Sequence, residues 1–241
     1  IPSDCLVIKL LRSPHAHALV EDINTDIAMK VPGIEAVYTW KDVPDVRFTL
    51  AGQTYPEPSP YDRKILDEIV RYVGDEVAII AAETLDAAEK AMKLIKVDYE
   101  VYEPLLDFTK AIDNDIIVHQ EDNYRTLCEI GNARMRNICS QGESCVGDID
   151  AAFTDCDVIL ERDYHTKANA QAMMETFRSY AYVDAFDRLN VVSSTQVPFH
   201  VRRMVANALE IPKAKIRIVK PRIGGGLAQS KPVVVKSSPA L

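Results

Sequence analysis

Short apolar runs separated by proline and glycine fill the first hundred residues, and their period switches between strand and helix. Residues 6–11 are an apolar run that predicts a strand, and Pro14 bends the chain over 12–18. Residues 34–40, Ile-Glu-Ala-Val-Tyr-Thr-Trp, predict a second strand. Pro44, Pro56, Pro58 and Pro60 punctuate 41–66, which carries no period. Residues 77–82 are continuously apolar, the mark of a strand buried on both faces, and Gly74 and Asp75 turn into it. Thr84 is a candidate N-cap. Behind it Leu85, Ala88, Met92 and Ile95 recur at helical spacing and predict a helix over 84–95, with Glu89 and Lys93 as an i,i+4 pair. Residues 96–102 alternate like a strand. The expectation is a compact α/β unit whose helix crosses a sheet containing both 77–82 and 96–102.

Residues 105–145 are irregular and polar, and predict a connector. Asp148 is a candidate cap for a helix beginning at 147–153. Residues 158–165, 177–183 and 188–194 predict strands, the last after an Asp-rich turn. Pro198 can open a helix, because its missing N–H is not needed there. Val201, Met204, Val205, Ala208 and Leu209 form the apolar face of that helix, and Pro212 stops it. Ile216, Ile218 and Lys220 alternate with Arg217 and Val219 as a short strand that delivers the chain into Gly224-Gly225-Gly226. Three glycines after a strand permit close backbone approach to a ligand or positive φ, and a flexible turn reads the same way.

Composition narrows the class. The 241 residues are 47% apolar, enough for a substantial core in one or two domains. Lys and Arg number 28 against 36 Asp and Glu, a formal net charge of −8, which disfavours nucleic acid as a partner. The five cysteines are odd in number and none is spaced C-x-x-C, which points to reduced thiols in the cytoplasm rather than a disulfide framework or a closed zinc site. His15 and His17 would share one face of a strand, but no carboxylate or third ligand stands beside them, so no metal site is assigned. No run approaches the roughly 20 apolar residues of a membrane helix. Ile1 opens the chain, so a start residue is expected to be missing.

Several segments in order carry a resemblance. Arg12-Ser13-Pro14-His15-Ala16-His17-Ala18, Val73-Gly74-Asp75-Glu76-Val77-Ala78, Ala82-Glu83-Thr84, Val97-Asp98-Tyr99-Glu100 and Glu103-Pro104-Leu105 resemble the hammerhead domain of the xanthine dehydrogenase and aldehyde oxidase family. Ser193-Ser194-Thr195-Gln196 before a helix, then Lys220-Pro221-Arg222-Ile223-Gly224-Gly225-Gly226, is similar to the molybdenum-binding subunit of that family. The resemblance implies an α/β (α+β) fold in three parts: a hammerhead domain over 1–105, a connector over 106–146, and the N-terminal portion of a molybdopterin-binding domain over 147–241. It implies oxidative hydroxylation of a purine-like N-heterocycle or an aldehyde. Molybdopterin is the implied cofactor, and iron–sulfur and FAD subunits or domains are the implied partners.

The same resemblance assigns the site. The backbone at Gly224, Gly225, Gly226, Leu227 and Ala228 is expected beside the cofactor, although Leu227 and Ala228 stand where the family has Phe-Gly, and Ala228 cannot copy a glycine at positive φ. The Glu175-Thr176 pair matches the family, and counting back puts Asn169 where a cofactor-side Gln often lies; an amide capping a strand end is the other reading. The family's general-base glutamate lies near the far C-terminal end of its subunit, so no catalytic residue and no metal ligand is assigned here. The tail over 232–241 no longer resembles the family, as a frameshift, an early stop or an artificial terminus would each produce. The expectation is a part of a hydroxylase that is inactive alone and does not hold the cofactor stably. The alternative is a non-catalytic module that docks partner subunits. Self-association is expected through 177–220, where an incomplete domain would expose strand edges. No G-x-S-x-G elbow or phosphate-binding P-loop is present.

Overall fold

The computed structural model describes residues 4–50, 54–167, 169 and 179–222. In chain order its strands are β1 (Val7–Arg12), β2 (Ala18–Asn24), β3 (Ile34–Tyr38), β4 (Ile69–Val70), β5 (Glu76–Ala82), β6 (Lys96–Val101), β7 (Ser179–Val183), β8 (Leu189–Ser193) and β9 (Ile216–Val219). Three α-helices accompany them: α1 (Leu85–Met92), α2 (Ile149–Thr154) and α3 (Pro198–Leu209).

β5 is the centre of the first half. It runs antiparallel to β1 on one edge and to β3 on the other, with Leu10 opposite Ile79 and Val37 opposite Ile80. Successive side chains of a strand point to opposite faces. Ile80 and Ala82 therefore join Ala87, Ala88 and Ala91 of α1 in one core, while Val77 joins Ala18, Val20 and Val70 in another. That division explains the unbroken apolar run: both faces of β5 are covered. The second core lies against the sheet β4-β2-β6.

The helix begins where Thr84 predicts, with its hydroxyl accepting from the Ala87 N–H at 3.2 Å. Its buried stripe is made of alanines, which let the helix backbone come close to the sheet, and Leu85 stands half exposed. Three expectations need correction. The helix stops at Met92, with Lys93 as its C-cap. Glu89 pairs with Lys9 of β1 at 3.2 Å and Lys90 with Asp86 at 2.6 Å, so the Glu89–Lys93 pair does not form. β6 is not in the sheet of β5, because both edges of β5 are already taken; it pairs with β2 instead.

Residues 106–148 contain no strand and no α-helix, and side chains dock them. Arg47, almost fully buried, donates to the Asp62 carbonyl at 2.8 Å and to Asn123, and lies 3.1 Å from Glu121. Arg71 joins Glu121 at 3.1 Å and Asp67 at 2.8 Å, and donates to the Val118 carbonyl at 3.2 Å. Burial would raise the Glu121 carboxyl. The hydrogen bond to His119 at 2.6 Å, its own backbone amide and the charge of Arg71 outweigh it and hold the group down at about 2.

In the second half, Asp148 caps α2 as expected, accepting from the Ala151 N–H at 2.9 Å. Residues 158–165 do not form the expected strand. No described residue pairs with them, and Val158, Ile159, Leu160 and Tyr164 are exposed. A lone extended segment has no partner for its backbone groups, so apolar content alone does not make it a strand. β7 and β8 are antiparallel, joined by a turn in which Asp184 accepts from the Phe186 and Arg188 N–H groups at 2.9 and 3.1 Å. Phe177 and Arg178, at the start of that predicted strand, lie outside the described residues.

Thr84→Ala removes the cap of α1 and should cost ~1 kcal/mol, read as a lower urea midpoint with an unchanged slope. Glu121 has a folded pKa below its unfolded one, so its contribution is complete above about pH 4.3 and is lost as the pH falls toward about 2. Glu121→Gln should lower stability at neutral pH and flatten the decline between about pH 4 and pH 2; denaturation midpoints across that range test it, and parallel curves for the two proteins would refute it.

Candidate functional site

The strand-loop-helix-strand segment read from the sequence folds as a parallel unit. β8 pairs in parallel with β9, Leu189 opposite Ile216 and Val192 opposite Val219. Parallel strands release their chains at the same end of a sheet, so the loop over 194–197 and the exposed segment Lys220, Pro221 and Arg222 share one edge. Open α/β sheets bind ligands outside the carboxyl ends of their strands, and this is such an end. α3 returns across the sheet by seating Val201, Val205 and Ala206 against Val191, Ala181 and Ile216. Pro198 occupies its first turn, and the helix ends one residue before Glu210, whose left-handed φ of 54° turns the chain ahead of Pro212.

The loop between β8 and α3 is partly buried. Ser193 and Thr195 are buried, and the Thr195 hydroxyl accepts from the Val197 N–H at 3.1 Å. Asn169, proposed as a cofactor-side amide, is exposed and outside regular secondary structure. Gly224, Gly225, Gly226, Leu227 and Ala228 lie outside the described residues. His15 and His17 do not share a strand face; each meets a different tyrosine edge-on, Tyr99 at 4.9 Å and Tyr102 at 5.2 Å.

A polar cluster beside α3 escaped the sequence reading. Glu57 has no exposed surface. Its Oε1 accepts from Arg203 Nε at 2.9 Å and its Oε2 from the Tyr61 hydroxyl at 3.0 Å. Arg203 Nη2 also donates to the Thr54 carbonyl at 3.0 Å, and the guanidinium lies over the Tyr55 ring, 5.8 Å from its centroid. Burial would raise the Glu57 carboxyl, but the hydrogen bonds from Arg203 and Tyr61 and the Arg203 charge leave it below the usual carboxylate value. Burial and the Glu57 hydrogen bond push the Tyr61 phenol up to about 12. Burial and the charge of Arg203 lower His200 against the pull of Glu57, so the imidazole is neutral at physiological pH. His200 and Arg203, three apart and so neighbours on α3, offer no sign of a partner in a distant segment. Nothing within the proline-rich 41–66 stretch marked Glu57.

Comparison with known proteins finds two matched regions. Residues 1–103 match the family described as "Aldehyde oxidase and xanthine dehydrogenase, a/b hammerhead domain", and residues 131–227 match "Molybdopterin cofactor-binding domain". The chain is 36% identical to "Probable hypoxanthine oxidase XdhD" of Escherichia coli (strain K12), over 98% of this chain and 27% of that protein. It is 32% identical to "Putative xanthine dehydrogenase molybdenum-binding subunit XdhA" of the same strain, over 94% of this chain and 29% of the relative. The chain thus spans less than a third of the length of these curated relatives. Among solved structures, the Cu,Mo-CO dehydrogenase superposes with a TM-score of 0.70 at 28% identity, over 92% of this chain and 28% of that one. The aldehyde oxidoreductase of Desulfovibrio gigas has a TM-score of 0.73 at 23% identity, over 93% and 24%, and shares the fold. The chain thus carries, over 1–103, the hammerhead domain of the aldehyde oxidase and xanthine dehydrogenase family and, over 131–227, a molybdopterin cofactor-binding domain.

Proposed function

We propose that this chain supplies the hammerhead domain (1–105), a connector (106–146) and the opening of the cofactor-binding domain (147–241) of a molybdenum hydroxylase. One observation carries the reading. The parallel β8-α3-β9 unit sets 194–197 and 220–222 at one sheet end, and Gly224, Gly225 and Gly226 follow directly in sequence. The residues at that end fit an anionic cofactor: Lys220 and Arg222 are exposed there, and both are cations suited to a phosphate group. The backbone of Gly224, Gly225, Gly226, Leu227 and Ala228 and the amide of Asn169 are the groups that would hold molybdopterin. Molybdopterin supplies, when bound, the redox centre at which a substrate carbon is hydroxylated with oxygen from water. This chain's part is to bind and orient. Glu57, the one fully buried carboxylate among the described residues, has both oxygens engaged and is unsuited to act as a general base.

The relatives' names favour a purine-like N-heterocycle, since two of them are called hypoxanthine oxidase and xanthine dehydrogenase; an aldehyde is the second substrate class. Iron–sulfur and FAD subunits or domains would carry the electrons away. Five free thiols suit a reducing cytoplasm. The 241 residues alone should be inactive. Purified from a molybdenum-sufficient host, they should contain far less than stoichiometric molybdenum and leave hypoxanthine, xanthine and aldehydes unoxidised; turnover above a molybdenum-free control would overturn this.

A second role, docking partner subunits or a second copy of itself, has its own supporting observation. Val146, Phe153, Leu160 and Tyr164 present apolar surface between the connector and β7, with Val146 at 93% and Tyr164 at 89% exposure. Exposed apolar side chains are available to a partner if they meet in one patch, and that is the basis of this second reading. Sedimentation velocity should detect concentration-dependent self-association that Leu160→Glu weakens. A monodisperse monomer at all concentrations would remove self-association.

A further inference from the structure

We propose that Arg203 is a positioning residue: through the Glu57 carboxylate it clamps α3, and with it the loop over 194–197, onto the segment 54–61 of the hammerhead half. The two residues are 146 positions apart, so their bond joins parts of the chain that no local element connects. A buried ionised carboxylate must be paired, and among the described residues Arg203 is the cation within hydrogen-bond distance of Glu57. The contact defines orientation as well as distance. Arg203 Nε reaches Glu57 while Nη2 reaches the Thr54 carbonyl, so the planar fork grips two points of one segment. Tyr61 holds the other carboxylate oxygen, which stops the carboxylate from turning away.

The clamp bears on the strand-end loop through α3. Only residues 194–197 separate β8 from the first turn of α3, and Thr195 within them is buried. Val197 makes no side-chain cap at the helix start. The loop therefore takes its position from the two elements it joins, and a shift of α3 against β8 must be absorbed inside it. What this means for a bound cofactor rests on the function proposed above. The clamp itself does not, and the experiment reads the clamp alone.

Amide hydrogen exchange on the 241-residue chain tests it, with Arg203→Met, Arg203→Lys and Glu57→Gln beside the unsubstituted protein. In Arg203→Met, amides of 54–61 and 194–203 should exchange at least about tenfold faster, the scale of one lost charge-assisted hydrogen bond. Amides of β5 should stay within about twofold of their original rate. Arg203→Lys keeps the charge without the fork, so it should restore protection to 54–61 more fully than to 194–203. Glu57→Gln should loosen 194–203 although it leaves the helix sequence untouched. Should Arg203→Met fail to fold, the other two variants carry the test. The proposal falls if 194–203 keeps its original rate in Glu57→Gln and Arg203→Lys. It falls equally if β5 accelerates in step with 194–203, since that denotes general destabilisation and not positioning.

Discussion

A carboxylate with no exposed surface constrains everything around it. Glu57 is charged, buried and 146 residues from the guanidinium that neutralises it. Unpaired, it would face the full cost of leaving water. Its segment is therefore buried at least cost when α3 is in place, and the carboxylate in turn gives α3 a directed contact on the hammerhead half. Tyr61 and the Thr54 carbonyl complete the arrangement, so polar groups with defined directions join the two halves at this point.

The connector obeys the same logic. Residues 106–148 make no ladder, yet Arg47 and Arg71 bind Glu121, Asn123 and the Val118 carbonyl and lay the segment against the first half. The cores among the described residues, in contrast, are small and separate: one between α1 and the sheet of β5, one on the other face of β5, and one between α3 and β8. Small cores bounded by loops leave the relative placement of the parts to directional bonds, which lose their value quickly when geometry changes.

Local chemistry explains which features the sequence discloses. Thr84 and Asp148 cap their helices because capping needs only residues a few positions apart. Pro198 and the apolar face of α3 are legible for the same reason, as is the apolar run of β5, whose two covered faces leave no polar positions. Sheet partners are another matter. The periodicity of 96–102 marks a strand without saying that β2 will take it, since that depends on β1 and β3 having filled the edges of β5. Residues 158–165 carry strand-like composition and find no partner among the described residues. Glu57, Tyr61 and Arg203 show no pattern in the sequence, because their relation exists only after the chain has brought distant segments together. The motifs at 193–196 and 220–226 are legible as a resemblance, and the fold adds the reason they belong together: parallel pairing brings their strand ends to one edge.

The central place of β5 also dictates an order of events during synthesis. β1 and β3 leave the ribosome long before residues 76–82, and each is an edge strand of the sheet that β5 completes. Until that stretch emerges neither has its ladder, and their backbone groups stay open to water or to other chains. α1 follows at once and covers the face that Ile80 and Ala82 present. The nascent hammerhead half thus passes through a vulnerable interval that ends with a strand and a helix made in immediate succession, a window in which a chaperone that shields extended segments has its greatest use.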